Sequence, residues 1–566
     1  MEEYRRRKRG RSKTFHGSYG TIDPARTVAG RSARHVADPR PRRERAQYVS
    51  QRSRHQRGGR GPVRPSPLRR LIIAILIAAA AIALGVFLLT RPASAVISAI
   101  PADASIVLDG SVVGTGTLEV SEYEPGTYTV TVARSGFETA TATAELKRGR
   151  KAKLTYDLKP LPLSVSITTH PEGATCTLVR ADGERVADAA PFAHEVLAGP
   201  VTLEIAMDGY NTFTRELFLD GPLALEYYLD PEGQILHGLG LITTQGAPKG
   251  VSVTHDGSEA WTSILDGPPS IEIFNPRTGE KIGGVDLGEH GAVEVIFNEA
   301  GTLAYTSQME TAKCFEIDVK TRKVLREFDT KSAWTKWVEL SPDEKTLYAS
   351  NWSGDDVSVI DLGTGALVKR IGVSNTPRGM YATDDGKHLY VGGFDSGDLE
   401  RIDLATGEVT SLFTTGGALR HIVTDEATGR MYISDMSKNL VWLHDMKTGK
   451  TTKFVDTDDK PNTIDLTPDG KMLFVSCRGA NNPKSYYLKG PEWGSILVFD
   501  AASGEPLDAL IAGNQPTALD VSDDGKLLIF SDFLDNRLRV YEIPDYETFA
   551  QGDGGRFEAH EAEITK

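Results

Sequence analysis

Three hydrophobic patterns follow one another along the chain. The first is a run of twenty uncharged residues, from Leu71 to Thr90. As a helix rising about 1.5 Å per residue it reaches about 30 Å, the hydrocarbon thickness of a bilayer, and is expected to cross a membrane once. The second pattern has a period of two. Ile106 and Leu108, then Tyr128, Val130 and Val132, then Val201, Leu203, Ile205 and Met207 alternate with polar or small residues between boundaries of Gly, Pro, Asp or Asn. It predicts short, half-buried strands. The third pattern starts near residue 240: short β runs, punctuated by Asp-Gly and Thr-Gly turns, return about every 42 residues.

The period-two stretch holds two copies of one plan. The first runs from Ile100-Pro101-Ala102-Asp103-Ala104 through Asp109-Gly110 and Gly126 to Gly136-Phe137. The second runs from His170-Pro171-Glu172-Gly173-Ala174 through Asp182-Gly183 and Gly199 to Gly209-Tyr210. With its Pro-Glu-Gly-Ala at 171 to 174, the second copy resembles the PEGA domain, a small β-sandwich-like module common in bacterial and archaeal surface proteins. The first copy departs from that motif and rests on spacing and on its Gly-Phe closure. The resemblance implies an extracytoplasmic spacer or adhesion module. Neither copy concentrates His, Cys or carboxylates, so a stalk is the expected role.

In the third stretch, the aromatic after each Asp-Gly-type turn stands at Trp261, Tyr305, Tyr348, Tyr390, Tyr432 and Phe474, with Ile529 in seventh place; the intervals are 44, 43, 42, 42, 42 and 55. The polar residue that ends the third run of each repeat gives the same period: Asn275, Asp318, Asp361, Asp403, Asp445, Asp500 and Glu542. Four β runs per repeat at this spacing indicate a propeller, in which each four-stranded blade buries both faces only against its neighbours. Seven markers predict seven blades. The seventh repeat stops after its third run, at Val540-Tyr541-Glu542-Ile543, and the run at Leu241-Ile242-Thr243-Thr244 is expected to supply the missing strand and close the ring. The repeat lacks the Gly-His and Trp-Asp pairs of WD40 units. Its best copy, with Thr376-Pro377-Arg378-Gly379-Met380 and Leu389-Tyr390-Val391, resembles YVTN/YncE-like propeller repeats, whose relatives include lactonase-type propellers and the propeller domain of nitrous oxide reductase. That likeness concerns the scaffold, and fold does not transmit activity.

The chain is therefore expected to be mainly β. A seven-bladed β-propeller at 240–543 follows two small β-sandwich-like PEGA modules at 96–160 and 163–230. Before these come a disordered basic tail at 1–70 and one transmembrane helix at 71–90, and an acidic, mobile tail at 544–566 ends the chain.

Charge orients this plan. Residues 1 to 70 hold 21 of the 64 Lys and Arg but only 5 of the 77 Asp and Glu. The positive-inside rule then puts the N-terminus in the cytoplasm and the bulk of the chain outside it. A cleaved signal sequence is the competing reading, with Ala93-Ser94-Ala95 as the cleavage site, but the apolar run exceeds the usual 7–15 residues. The Arg-rich tail is expected to cling to anionic lipid at about 1 kcal/mol per cation. Nucleic acid is not the expected partner, because aromatic residues are sparse there and no folded reader is visible. The cysteines, Cys176, Cys314 and Cys477, are too few and too scattered for a disulfide framework or a CxxC metal site.

Candidate chemistry lies where propeller loops converge. At the start of each inner strand the register reads Lys249, Glu294, Lys336, Arg378, Arg420, Asn462 and Thr517. Adjacent cations about 8 Å apart repel by roughly 0.5 kcal/mol in water and about 2 at an effective dielectric of 20. Their company implies either an anionic ligand or neutralisation by Glu294, Asp355 and Asp356. Trp334, Trp337 and Trp352 stand beside the same mouth, and His421 is expected at its rim. The 55-residue interval places 13 extra residues in one loop, Arg478 to Trp493, whose Tyr486, Tyr487 and Trp493 are candidates for a binding wall. A loop packed down over its own blade is the alternative.

No GxSxG, HExxH or Gly-rich phosphate loop occurs, and the propeller histidines, His255, His290, His388, His421 and His444, share no register that would aim them at a common metal. No cofactor is expected. The favoured reading is a membrane-anchored, non-catalytic binding or scaffold protein of the cell envelope that recognises a protein segment or an anionic polymer. The alternative is a lactonase-like hydrolase or oxidoreductase using the same mouth. A third reading makes the basic tail the working end and the ectodomain a sensor.

Overall fold

The structure, a computed structural model, describes residues 66 to 566. The disorder expected for the basic tail lies, up to residue 65, outside the described residues. The side chains of Leu88 and Leu89 are not described either. The described chain divides into two compact units at Leu161 and Pro162.

In the first unit an α-helix spans Pro67–Thr90. It begins four residues before the uncharged run because Pro67 starts a helix well: its missing N–H would find no intrahelical partner there. Its apolar side chains, Ile77 and Phe87 among them, are exposed. Among the described residues it is the one helix long and apolar enough to cross a membrane. The strands after it form a three-stranded and a four-stranded sheet. The first strand, Ala93–Ile100, is the centre of the smaller sheet, paired antiparallel with Thr117–Tyr123 and parallel with Lys151–Asp157. Ile97, Ile106, Val130, Val132 and Leu146 form the buried side, as the alternation requires. The module starts at Ala93, three residues earlier than expected.

The second unit opens with the same strand order, again as sheets of three and four strands. Pro162–His170 is the centre of the smaller one, and Val165, Ile167, Leu178, Phe192, Leu203 and Ile205 form the core. This module is fastened to the next strand, His237–Thr243, by Asp230, whose buried carboxylate accepts hydrogen bonds from the Gly238 N–H and the Gln234 side chain, both at 2.8 Å.

Seven four-stranded antiparallel sheets then form the propeller. Inner and second strands are almost wholly buried, as in Pro377–Ala382 and Met472–Cys477, while outer strands such as Val409–Thr414 lie half open to solvent. The reason is packing: clusters such as Val423, Tyr432, Ile464 and Val475 bridge adjacent blades, so inner strands are covered on both faces. The turns are stabilised as punctuation. Thr254, Ser341, Thr383, Thr467 and Ser522 each donate a hydroxyl hydrogen bond to the Asp two residues on, at 2.6–2.8 Å. Asp318, Asp361 and Asp403 each accept the backbone N–H three residues on, at 2.7–2.8 Å.

The seventh blade closes as the sequence implies. His237–Thr243 pairs antiparallel with Arg537–Glu542, so the first and last strands of the propeller share one sheet. The C-terminal segment differs from the mobile tail expected of it. Tyr546–Ala550 and Phe557–Glu563 are short helices, and Phe549 and His560 are buried. Phe549 joins the core that blades six and seven share, and the carboxylate of Asp508, on the outer strand of blade six, accepts the Arg556 N–H at 3.0 Å. Apolar side chains every few residues, unseen in a segment judged by its charge, anchor it there.

Candidate functional site

The register at the start of the inner strands marks a structural device. In six blades the ladder between the first and second strand slips at this residue: between Pro248 and Gly250, Thr335 and Trp337, Pro377 and Met380, Leu419 and His421, Pro461 and Ile464, and Pro516 and Leu519. Lys249, Lys336, Arg378, Arg420, Asn462 and Thr517 each sit in such a β-bulge. A bulge re-aims a side chain out of the regular alternation, which is how the ring is built. The inner strands also crowd one another. A Cβ at Gly250 would meet the Val293 carbonyl oxygen at 2.6 Å, so glycine is required beside Lys249.

The carbonyl of a ring residue is held by a serine of the preceding blade. The Ser307 hydroxyl donates to the Lys336 carbonyl at 2.9 Å, Ser350 to that of Arg378 at 3.0 Å, and Ser434 to that of Asn462 at 2.6 Å. These serines went unnoticed in the sequence, although each stands two residues after its marker aromatic. Trp334, Thr376, Lys460 and Gln515, two residues before a ring position, have φ between 56° and 64°. Left-handed backbone costs a non-glycine residue about 1 kcal/mol or more and gathers at functional sites.

A cavity of about 620 Å³ opens above the ring, lined by Lys249, Lys336, Arg378 and Arg420 together with Lys460 and Arg478. Among the described residues Asp395 is its one lining carboxylate. Arg378 is buried and ion-paired: its Nη2 donates to Glu294 Oε1 at 2.8 Å. Lys249, Lys336 and Arg420 are paired with no carboxylate among the described residues. Aromatic faces take that place: the Lys336 ammonium lies 3.6 Å from the centre of the Trp352 ring, and the Lys249 ammonium lies 4.8 Å from that of Phe533. Burial, reinforced by the Arg378 and Arg420 guanidinium groups, pushes the Lys336 ammonium down to about 6. Burial and neighbouring cations push Lys249 well below the usual lysine range as well. Burial pushes Arg478 down to about 10. The charged forms of these basic groups are thus costly in the cavity, a cost that an anion would relieve.

Comparisons with known proteins bear on the scaffold. The family model of the PEGA domain matches residues 93–162. That is the first module, not the one that carries Pro171-Glu172-Gly173-Ala174. A curated relative, Antigen Lp49 of Leptospira interrogans serogroup Icterohaemorrhagiae serovar copenhageni (strain Fiocruz L1-130), is 37% identical over 259 residues, 44% of this chain and 57% of the antigen. The chain therefore spans little more than half the length of that relative. Among solved structures, Kuenenia stuttgartiensis hydrazine synthase aligns at 20% identity with a TM-score of 0.46, covering 53% of this chain and 97% of the other.

Not every expected residue reaches the cavity. His421 is buried away from the cavity lining, meets Trp337 edge-on at 4.8 Å between ring centres, and accepts the Ile464 N–H at 3.4 Å. It does not stand at the rim. Trp337 is a core residue, 1% exposed, packed with Val357 and Met380. Asn462 is fully buried with neither amide atom partnered. The expected neutralisation by Asp355 and Asp356 does not occur: Asp356 pairs with Arg370 at 3.2 Å, and Asp355 accepts the Thr376 N–H.

The long loop of blade six contributes Arg478, Asn481 and Tyr486 to the cavity wall. It is braced from blade seven: Arg478 donates to the Gln515 side chain, Gln515 donates to the Tyr486 carbonyl at 2.6 Å, and Lys489 pairs with Asp535 at 2.8 Å. Tyr486 and Tyr487 pack together at 4.1 Å and stay about half exposed. Trp493 turns away from the cavity and is capped by Lys566, 4.5 Å from its ring centre. Sequence reading also missed Phe394, Met436 and Arg478 as lining residues. With Trp352 they recur every 42 residues at the first position after the second strand, a signal as regular as the markers that were used.

Proposed function

We propose that this chain is a single-pass, membrane-anchored protein of the cell envelope whose extracytoplasmic propeller captures an anionic ligand, borne by a protein segment or an envelope polymer. In this reading residues 162 to 230 are a second copy of the PEGA module, the blades are of the YVTN/YncE-like kind, and the two modules form a stalk. Several features support the arrangement. The basic residues precede the apolar helix, and their attraction to anionic lipid and the cytoplasmic face orients the chain. Ala93 and Ala95 are buried within the central strand of the first module, so cleavage after Ala95 would remove part of that strand. This favours a retained anchor.

The observation that carries the binding reading is the sharing of one cavity by Lys249, Lys336 and Arg420, none ion-paired to a carboxylate among the described residues. Purified full-length chain in detergent should bind poly-glutamate immobilised on a sensor surface, more weakly as salt rises. Lys336→Ala combined with Arg420→Ala should weaken that binding at least tenfold. Binding that ignores both substitutions would overturn the reading.

A further inference from the structure

The floor of the cavity narrows the chemistry of what it holds. Six basic side chains line it against one lining carboxylate among the described residues, Asp395. Glu294 satisfies one edge of Arg378 and leaves Nη1, buried, without a partner. Arg378 is 2% exposed. The Nε of Arg478 is likewise buried and unpartnered. A lone carboxylate brought by a ligand would match one cation and leave the others desolvated, and each desolvated unpaired ion is costly. Guanidinium groups present planar, paired donors that suit an oxyanion with several oxygens.

Size and wall chemistry add a second constraint. A space of about 620 Å³ is far larger than an inorganic ion needs and falls in the range of small organic ligands. Beside the basic groups the lining includes the apolar or aromatic side chains of Trp352, Phe394, Met436 and Tyr486. Resting on the anion-capture reading, we infer that the cavity binds a small organic group carrying at least two negative charges, a phosphomonoester or a polycarboxylate, with its apolar or planar body against those four side chains.

The test compares probes on the full-length chain in detergent by isothermal titration calorimetry. Phenyl phosphate or tricarballylate should bind at least tenfold tighter than benzoate, which has a ring but a single charge. Phenyl phosphate binding alone identifies the phosphoryl class, and tricarballylate binding alone the polycarboxylate class. Arg420→Gln and, separately, Lys249→Gln should each weaken the better probe at least tenfold. Both remove a buried basic group that its neighbours repel when charged, so an unlowered melting temperature verifies the fold. Trp352→Ala should weaken phenyl phosphate while leaving inorganic phosphate unchanged. Equal binding of benzoate and phenyl phosphate, with tricarballylate no tighter, overturns the inference and leaves anion capture standing. So does binding of poly-glutamate, sensitive to Lys336→Ala with Arg420→Ala, in a protein that binds none of the small probes. If poly-glutamate fails as well, both readings fall.

Discussion

Lys336 shows what a single residue contributes. Its ammonium lies against Trp352, with Arg378 and Arg420 as the stronger, repelling charges and Asp395 and Glu310 as the weaker attracting ones. Held down to about 6, against an ordinary value of 10.5, it is largely uncharged in the empty cavity at neutral pH. A bound anion favours the charged form, so binding between these limits takes up a proton, and affinity falls as pH rises from about 6 towards 10. Titration calorimetry in two buffers of different ionisation heat should report this uptake, and Lys336→Met should reduce it while leaving the share taken up by Lys249, which burial also holds below the usual lysine range. The cation register was legible in the sequence because it repeats every 42 residues. The sorting of its members was not, because Arg378 finds its carboxylate 84 residues away, at Glu294, across the axis of a closed ring.

At the level of elements, the β-bulge and the docked C-terminus decide the shape of the mouth. Pro248, Pro377, Pro461 and Pro516 open inner strands where no ladder N–H is lost, which agrees with proline's confinement to strand starts and bulges. The C-terminal segment links several elements. The buried His560 bonds Asp458 at 2.9 Å, the Trp493 N–H donates to the Ile564 carbonyl at 2.8 Å, and Lys566 reaches the Gly490 carbonyl at 2.9 Å. The long loop of blade six is thereby fixed at its base while Tyr486 and Tyr487 project. Ending the chain before Tyr546 should lower the melting temperature by several degrees and free the loop, read as faster hydrogen exchange across residues 478 to 493. Unchanged exchange would show that the braces from blade seven suffice.

For the whole molecule, closure of the ring is the main constraint. A single blade exposes two apolar faces and two edges, so its stability depends on its neighbours. The outer strand His237–Thr243 joins the start of the propeller to its end, and Ile242 packs with Val251, Leu538 and Val540. Ile242→Asp places an unpaired carboxylate in that core and should cost about 3 kcal/mol or more. It should also bare the edge of Arg537–Glu542 and produce oligomers visible by size-exclusion chromatography. A monomeric, equally stable variant would show that the strand is dispensable to the ring.

The amino-acid sequence by itself determined the kinds of element, the number of blades, the position of the apolar helix and the closing strand, because each arises from a local or strictly periodic alternation of buried and exposed positions. Only the tertiary structure decided which cations share a cavity unpaired, that His421 and Trp337 belong to the core, and that the acidic end is a docked part of the propeller. Those outcomes depend on contacts between residues far apart in the chain, which a periodic pattern repeats in every blade alike and so cannot distinguish.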